Sequence, residues 1–196
     1  MSREQFAGYV TRVAAAIKEM TTEGLAHPTP FEIETAVAFY FLPKKKCDLV
    51  ILEVGMGGNL DATNIIRNTV LAVLVPISMD HQAFLGNTLS EIAEKKAGII
   101  KPGVPVVIGE TTEETKKVFK DKSLEMNAPI RFAEEEHRII SSRSEGNTRV
   151  YETLHYGSFI GELGGSARKR IRQPYSRLST NFEKPVILSH KSMSGS

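Results

Sequence analysis

Glu53 follows four consecutive apolar residues, Leu49 to Leu52, and leads into Gly55-Met-Gly-Gly58. The run Asp48 to Val54 reads as a central parallel strand covered on both faces, and the glycines read as a loop whose backbone can approach a ligand or take positive φ. Open parallel sheets bind ligands outside the carboxyl ends of their strands, so a carboxylate at this place can hold Mg²⁺; its alternative is to cap the following turn. His81, preceded by Asp80, stands just past a second apolar run, Thr69 to Ile77, and so near the same edge. An imidazole there can ligate a metal, donate to a phosphate, or bond to a nearby carbonyl. Lys96 falls near the end of a predicted helix, where a solvated lysine is ordinary. Asp61, Thr63 and Asn64, with Gly57 and Gly58 before them, either meet a ligand or make the turn that Asp and Asn favour.

The elements that must carry these groups are legible as periodicities. Phe6, Val10, Val13, Ala14, Ile17 and Met20 repeat at three-and-four spacing, which predicts an amphipathic helix over residues 3–20. Thr29-Pro30-Phe-Glu32 is a helix start with N-cap, proline at the first position and a capping-box acid, and Pro43 ends that helix. A second capping box, Thr88-Leu-Ser-Glu91, opens a helix that reaches Lys96 and meets Gly98. Val104 to Ile108 is a third short strand, and residues 111–127 are one more helix. Strand, connection, strand, helix, strand is the rhythm of an α/β domain with a mostly parallel sheet. From Pro129 the pattern changes: Pro129 to Phe132, His137 to Ser141 and Thr148 to Leu154 read as short strands, with Glu145-Gly-Asn147 as a hairpin turn. No internal repeat is present, and no element is predicted after the segment Gly161 to Gly165.

Taken together, Leu52-Glu-Val-Gly-Met-Gly-Gly-Asn-Leu-Asp-Ala-Thr-Asn64, Asp80-His81, Phe84-Leu-Gly86 and the run Ile92 to Val107 resemble the central domain of folylpolyglutamate synthase/dihydrofolate synthase, in the Mur ligase superfamily. The likeness extends from about residue 2 to about residue 165. It implies a three-layer α/β fold related to P-loop NTPases. It also implies an ATP-dependent ligase that activates a folate or pteroate carboxylate as an acyl phosphate for attack by the amine of L-glutamate. By the same resemblance Glu53 and His81 hold Mg²⁺, and Lys96 is often carbamylated, a modification that replaces a cation repelled by the metal with an anion that can join it. Lys96 and His81 are then the catalytic candidates, with Gly57, Gly58, Asp61 and Asn64 toward the nucleotide. The expectation is that Glu53, His81 and Lys96 converge at one rim of the sheet.

The sequence departs from that family in two ways. It has no Thr-Asn-Gly-Lys-Gly-Ser type loop to cradle phosphates, and no counterpart of the family's C-terminal domain. Losing one preorganised donor commonly lowers a rate by about 10²–10³, so turnover by these residues alone is not expected. The rival is a catalytically dead module that binds nucleotide or folate on the same surface.

Composition bounds the remaining classes. Of 196 residues, 41% are hydrophobic and 24% charged, as in soluble globular chains, and the apolar runs are too short to span a bilayer. No membrane partner and a cytoplasmic location are expected. The single Cys47 is expected to be a small buried or half-buried residue. The net charge of +2 conceals a tail, residues 167–196, with seven basic side chains against one acid, Glu183. A single short charged tail without a fold motif is weak evidence for nucleic acid, and no such partner is expected. Residues 1–165 are therefore taken as a partial Mur ligase-like domain and 166–196 as a disordered basic tail. A shift of reading frame near Ala167 would account for that tail, because the frame one base earlier can encode a helical segment without a stop codon.

Overall fold

The structure, a computed structural model, describes residues 1–79, 82–136, 139–146, 148–154 and 157–161, with compact units at Met1–Arg67 and from Asn68 onward. The basic tail lies outside the described residues, as do Asp80 and His81.

The first unit is helical at its start. Helix α1 (Arg3–Thr22) begins where the Ser2 hydroxyl accepts the Gln5 N–H and the Gln5 side chain accepts the Ser2 N–H. It stops at Gly24, whose φ of +86° lets the Leu25 N–H turn back to the Met20 carbonyl at 3.0 Å. Helix α2 (Pro30–Phe41) starts on the expected box: Glu32 accepts from the Thr29 N–H at 2.7 Å and the Thr29 hydroxyl accepts the Glu32 N–H at 3.3 Å. A 3₁₀ turn, Leu42–Lys45, absorbs Pro43 before Lys46 takes a left-handed conformation. α1 and α2 pack together, and the Tyr9 and Phe41 rings meet edge to face at 6.3 Å.

Two expectations fail in this unit. Residues 48–54 form no strand, and Leu49, Val50 and Ile51 are 41%, 40% and 65% exposed. An apolar run becomes a central strand only when neighbours pair with it and cover both faces; every described ladder begins at Ala72 or later. Cys47 is exposed, not buried, because it follows the solvated Lys44–Lys46 turn.

The second unit contains a parallel sheet with strand order β1 (Ala72–Leu74), β2 (Val106–Ile108), β3 (Ile130–Phe132). β1 is shorter than the run Thr69 to Ile77 suggests, since Val70 and Val75 at its flanks are exposed. Pro129 to Phe132 read as the first of the later strands, yet β3 pairs with β2; the Val106 N–H already donates to the Pro129 carbonyl at 2.8 Å. Between β1 and β2 come α3 (Gln82–Leu85) and α4 (Leu89–Ala97), and between β2 and β3 comes α5 (Glu113–Glu125). α5 ends in a left-handed Asn127, with the Ala128 N–H returning to the Ser123 carbonyl. Ala72, Leu74, Val106, Ile108 and Phe132 of the strands share one buried cluster with Ala93 and Ala97 of α4 and Phe119 of α5.

Beyond β3 an antiparallel meander follows, β4 (Ile139–Glu145), β5 (Thr148–Thr153) and β6 (Gly157–Gly161). Its last strand is absent from the sequence expectation. Gly157 and Gly161 blur the alternation, but the Phe159 ring stacks on the buried Tyr151 ring at 5.0 Å and makes the strand worth forming.

Ile92 is 0% exposed and Leu124 is 83% exposed, both on helices of this unit. Ile92→Ala is expected to lower the unfolding free energy by about 2–5 kcal/mol, and Leu124→Ala by less than about 0.5 kcal/mol, in urea titrations followed by circular dichroism. Equal effects would mean the core is misassigned.

Candidate functional site

The loop that follows Glu53 is organised by one carboxylate. Asp61 accepts from the Met56 N–H at 2.9 Å, the Thr63 N–H at 2.9 Å and the Thr63 hydroxyl at 2.5 Å. It thereby caps a 3₁₀ turn, Ala62–Ile65, and ties it to the glycine segment five residues earlier. Asn64 donates from Nδ2 to the Asn59 carbonyl at 3.2 Å, closing the same loop across its middle. Partial burial raises the Asp61 carboxyl pKa, but donation from the Thr63 hydroxyl and from the backbone N–H groups of Met56, Thr63 and Gly55 outweighs it. Asp61 is therefore held below the ordinary carboxylate value.

The glycines are needed where they stand. Gly57 is buried with φ of +71°, a conformation that costs a side chain strain. A Cβ on Gly55 would lie 2.5 Å from the Phe31 ring, so the first turn of α2 sits directly on the loop backbone. Nothing local in the sequence announces the pairing of Phe31 with Gly55.

Glu53 itself is exposed and, among the described residues, makes no hydrogen bond or ion pair. Among those residues no three His, Cys, Asp or Glu side chains cluster as a metal cage. Mg²⁺ keeps several waters and is commonly held by one or two carboxylates together with substrate phosphates, so the single Glu53 carboxylate is a donor of the kind it uses. His81 lies outside the described residues.

Lys96 occupies the last turn of α4, half-buried, and its ammonium has no acid partner among the described residues. Helix α4 starts differently from expectation. Thr88 accepts the Glu91 N–H at 3.2 Å, but Glu91 turns its carboxylate to the Asn87 N–H at 2.6 Å, not to the cap residue. Gly86, with φ of +124°, makes room for that carboxylate; a Cβ there would lie 2.5 Å from it. Glu32, by contrast, is wholly the capping acid it is expected to be. The Thr29 N–H and hydroxyl hold its carboxyl below the usual value.

Comparison with known proteins identifies the family. Residues 4–162 match the Mur ligase middle domain. The chain is 39% identical over 131 residues to a dihydrofolate synthase/folylpolyglutamate synthase of Bacillus subtilis, covering 66% of this chain and 30% of that protein. It is 46% identical over 135 residues to a dihydrofolate synthetase of Saccharomyces cerevisiae, covering 67% and 30%. The apo folylpolyglutamate synthase of L. casei superposes with a TM-score of 0.77 at 27% identity, over 92% of this chain and 46% of the other. A folylpolyglutamate synthase bound to AMPPCP and folate gives 0.77 at 28%, over 92% and 46%. The chain thus spans less than a third of the length of these two curated relatives and less than half of these two solved structures.

Asp61→Ala strands the N–H groups of Met56 and Thr63 and is expected to lower stability by about 1–3 kcal/mol. Because the folded pKa of Asp61 is depressed, its contribution is complete above the unfolded value and is lost as pH falls through the folded one. Urea titrations should therefore show the wild-type advantage over Asp61→Ala intact at pH 7 and shrinking below about pH 4. An advantage that does not change with pH would exclude the ionised carboxylate as its source.

Proposed function

Since the chain belongs to the Mur ligase middle-domain family, we propose that it is the central portion of a folylpolyglutamate synthase/dihydrofolate synthase-type ligase. The reaction is ATP-dependent joining of L-glutamate to a folate or dihydropteroate carboxylate. The observation that supports this most directly is the superposition of 92% of the chain on a folylpolyglutamate synthase whose bound molecules are an ATP analogue and folate.

The residue roles follow from chemistry at each position. Glu53 presents an uncommitted carboxylate after an apolar run and is the residue, with His81, that would hold Mg²⁺. The ion, when bound, neutralises charge on the ATP phosphates as it builds. Gly57 and Gly58 leave the backbone bare enough for a phosphate or sugar to approach. Asp61 and Asn64 serve the nucleotide by fixing that loop before a ligand arrives, so little ordering entropy is left to lose on binding. Lys96 and His81 are the catalytic side chains. A carbamate on Lys96 would place negative charge where a bare ammonium would repel a cation. A cytoplasmic setting belongs to the same reading; among the described residues no helix is long and apolar enough to cross a membrane.

A second reading is that these residues bind nucleotide or folate on the same surface without turning it over.

Calorimetric titration with Mg·ATP and with dihydropteroate is expected to give heat for the wild-type chain. Removing Mg²⁺ with a chelator, or substituting Glu53→Gln, should abolish most of the nucleotide signal. A coupled assay with ATP, a folate acceptor and glutamate is expected to show no turnover by this chain alone. Heat from neither ligand would reject both readings, and turnover would reject the second.

A further inference from the structure

We propose that Glu114, at the start of α5, is a positioning residue for Lys96 and acts on it through α4. The proposal rests on the reading above that Lys96 serves the ligand site. Helix α4 has nine residues, and its buried side chains are Ile92, Ala93 and Ala97. Ala93 and Ala97 share a cluster with Phe119 of α5. Alanines let two elements lie close, but at that contact they raise no ridge that resists a slide along the helix axis. A directional hydrogen bond does resist it.

Such a bond is present at the first turn. The Ser90 N–H donates to Glu114 Oε1 at 2.9 Å, across 24 residues of sequence. The other side-chain bonds at this end, from the Glu91 N–H to Thr88 and from the Asn87 N–H to Glu91, are local and move with the helix. Of these three bonds, only the one to an acceptor on another element can fix where α4 begins. A carboxylate is suited to that task, since it meets both an unsatisfied N–H and the positive end of the helix. From Ser90 to Lys96 is six residues, or about 9 Å of helix. In an element this short a displacement of the first turn is carried whole to the last. The half-buried Lys96 side chain then moves relative to its surroundings, whereas the exposed Lys95 stays in water throughout.

Lys95 is thus an internal reference. The test compares the wild-type chain with Glu114→Ala, Glu114→Gln and Glu114→Asp. It measures the rate at which an amine-acylating reagent labels Lys96 relative to Lys95, by mass spectrometry, together with hydrogen exchange at Ser90. Glu114→Gln keeps a neutral acceptor and is expected to leave the labelling ratio near wild type. Glu114→Ala should speed Ser90 exchange and shift the ratio severalfold. If Glu114→Ala does not fold, the shorter Glu114→Asp decides in its place. Faster Ser90 exchange with an unchanged ratio in the folded variant overturns the proposal, leaving Glu114 a helix cap and nothing more. Mg·ATP titration of the same proteins keeps the two readings apart. Absence of heat from the wild type would count against the ligase site, while the labelling ratio would still decide whether Glu114 places Lys96.

Discussion

Val106, Val107 and Ile108 are each 1% exposed or less, and the order of the second unit follows from that burial. A strand with no wet face needs apolar cover on both sides and ladder partners on both edges. β1 and β3 supply the edges, and the side chains of α4 and α5 cover the face that bears Val106 and Ile108. With β2 fixed, the carboxyl ends of the three strands are fixed as well. Two of the loops that leave them are tied together: Glu134, after β3, accepts both the N–H and the hydroxyl of Thr111, after β2, at 3.1 and 2.6 Å. That part of the rim where parallel sheets place their chemistry is therefore fastened.

In the first unit order comes from polar groups more than from burial. Its buried apolar side chains are few, Val13 and Val37 among them, and the Gly55 to Ile65 segment takes its shape from Asp61, the close approach of Phe31 to Gly55 and the positive φ of Gly57. The arrangement is economical in residues but sensitive to charge state, since the acceptor at its centre works fully only when ionised.

What could be read from sequence divides along the range of the interaction. Helix starts depend on residues three positions apart, so Thr29 with Glu32 was sufficient to place α2, and the apolar spacing of α1 to place that helix. The run Asp48 to Val54 has the composition of a buried strand, but composition does not provide a partner, and in the structure the run stays exposed. β3 was legible as a strand and not as a neighbour of β2, because parallel pairing joins residues on either side of an intervening helix. At the site the same division holds. The turn chemistry of Asp61 was visible in Asp-Ala-Thr-Asn, as was the carboxylate at Glu53. The contacts Phe31 to Gly55 and Ser90 to Glu114 span 24 residues each and leave no local trace.

The seating of the Phe31 ring on Gly55 links two positions into one unit of change. A side chain at 55 must displace the Phe31 ring or meet a smaller neighbour at 31, and a smaller residue at 31 alone leaves the backbone there bare. Substitutions at the two sites should therefore be coupled, so that this corner of the loop drifts over evolutionary time as a pair more readily than one position at a time.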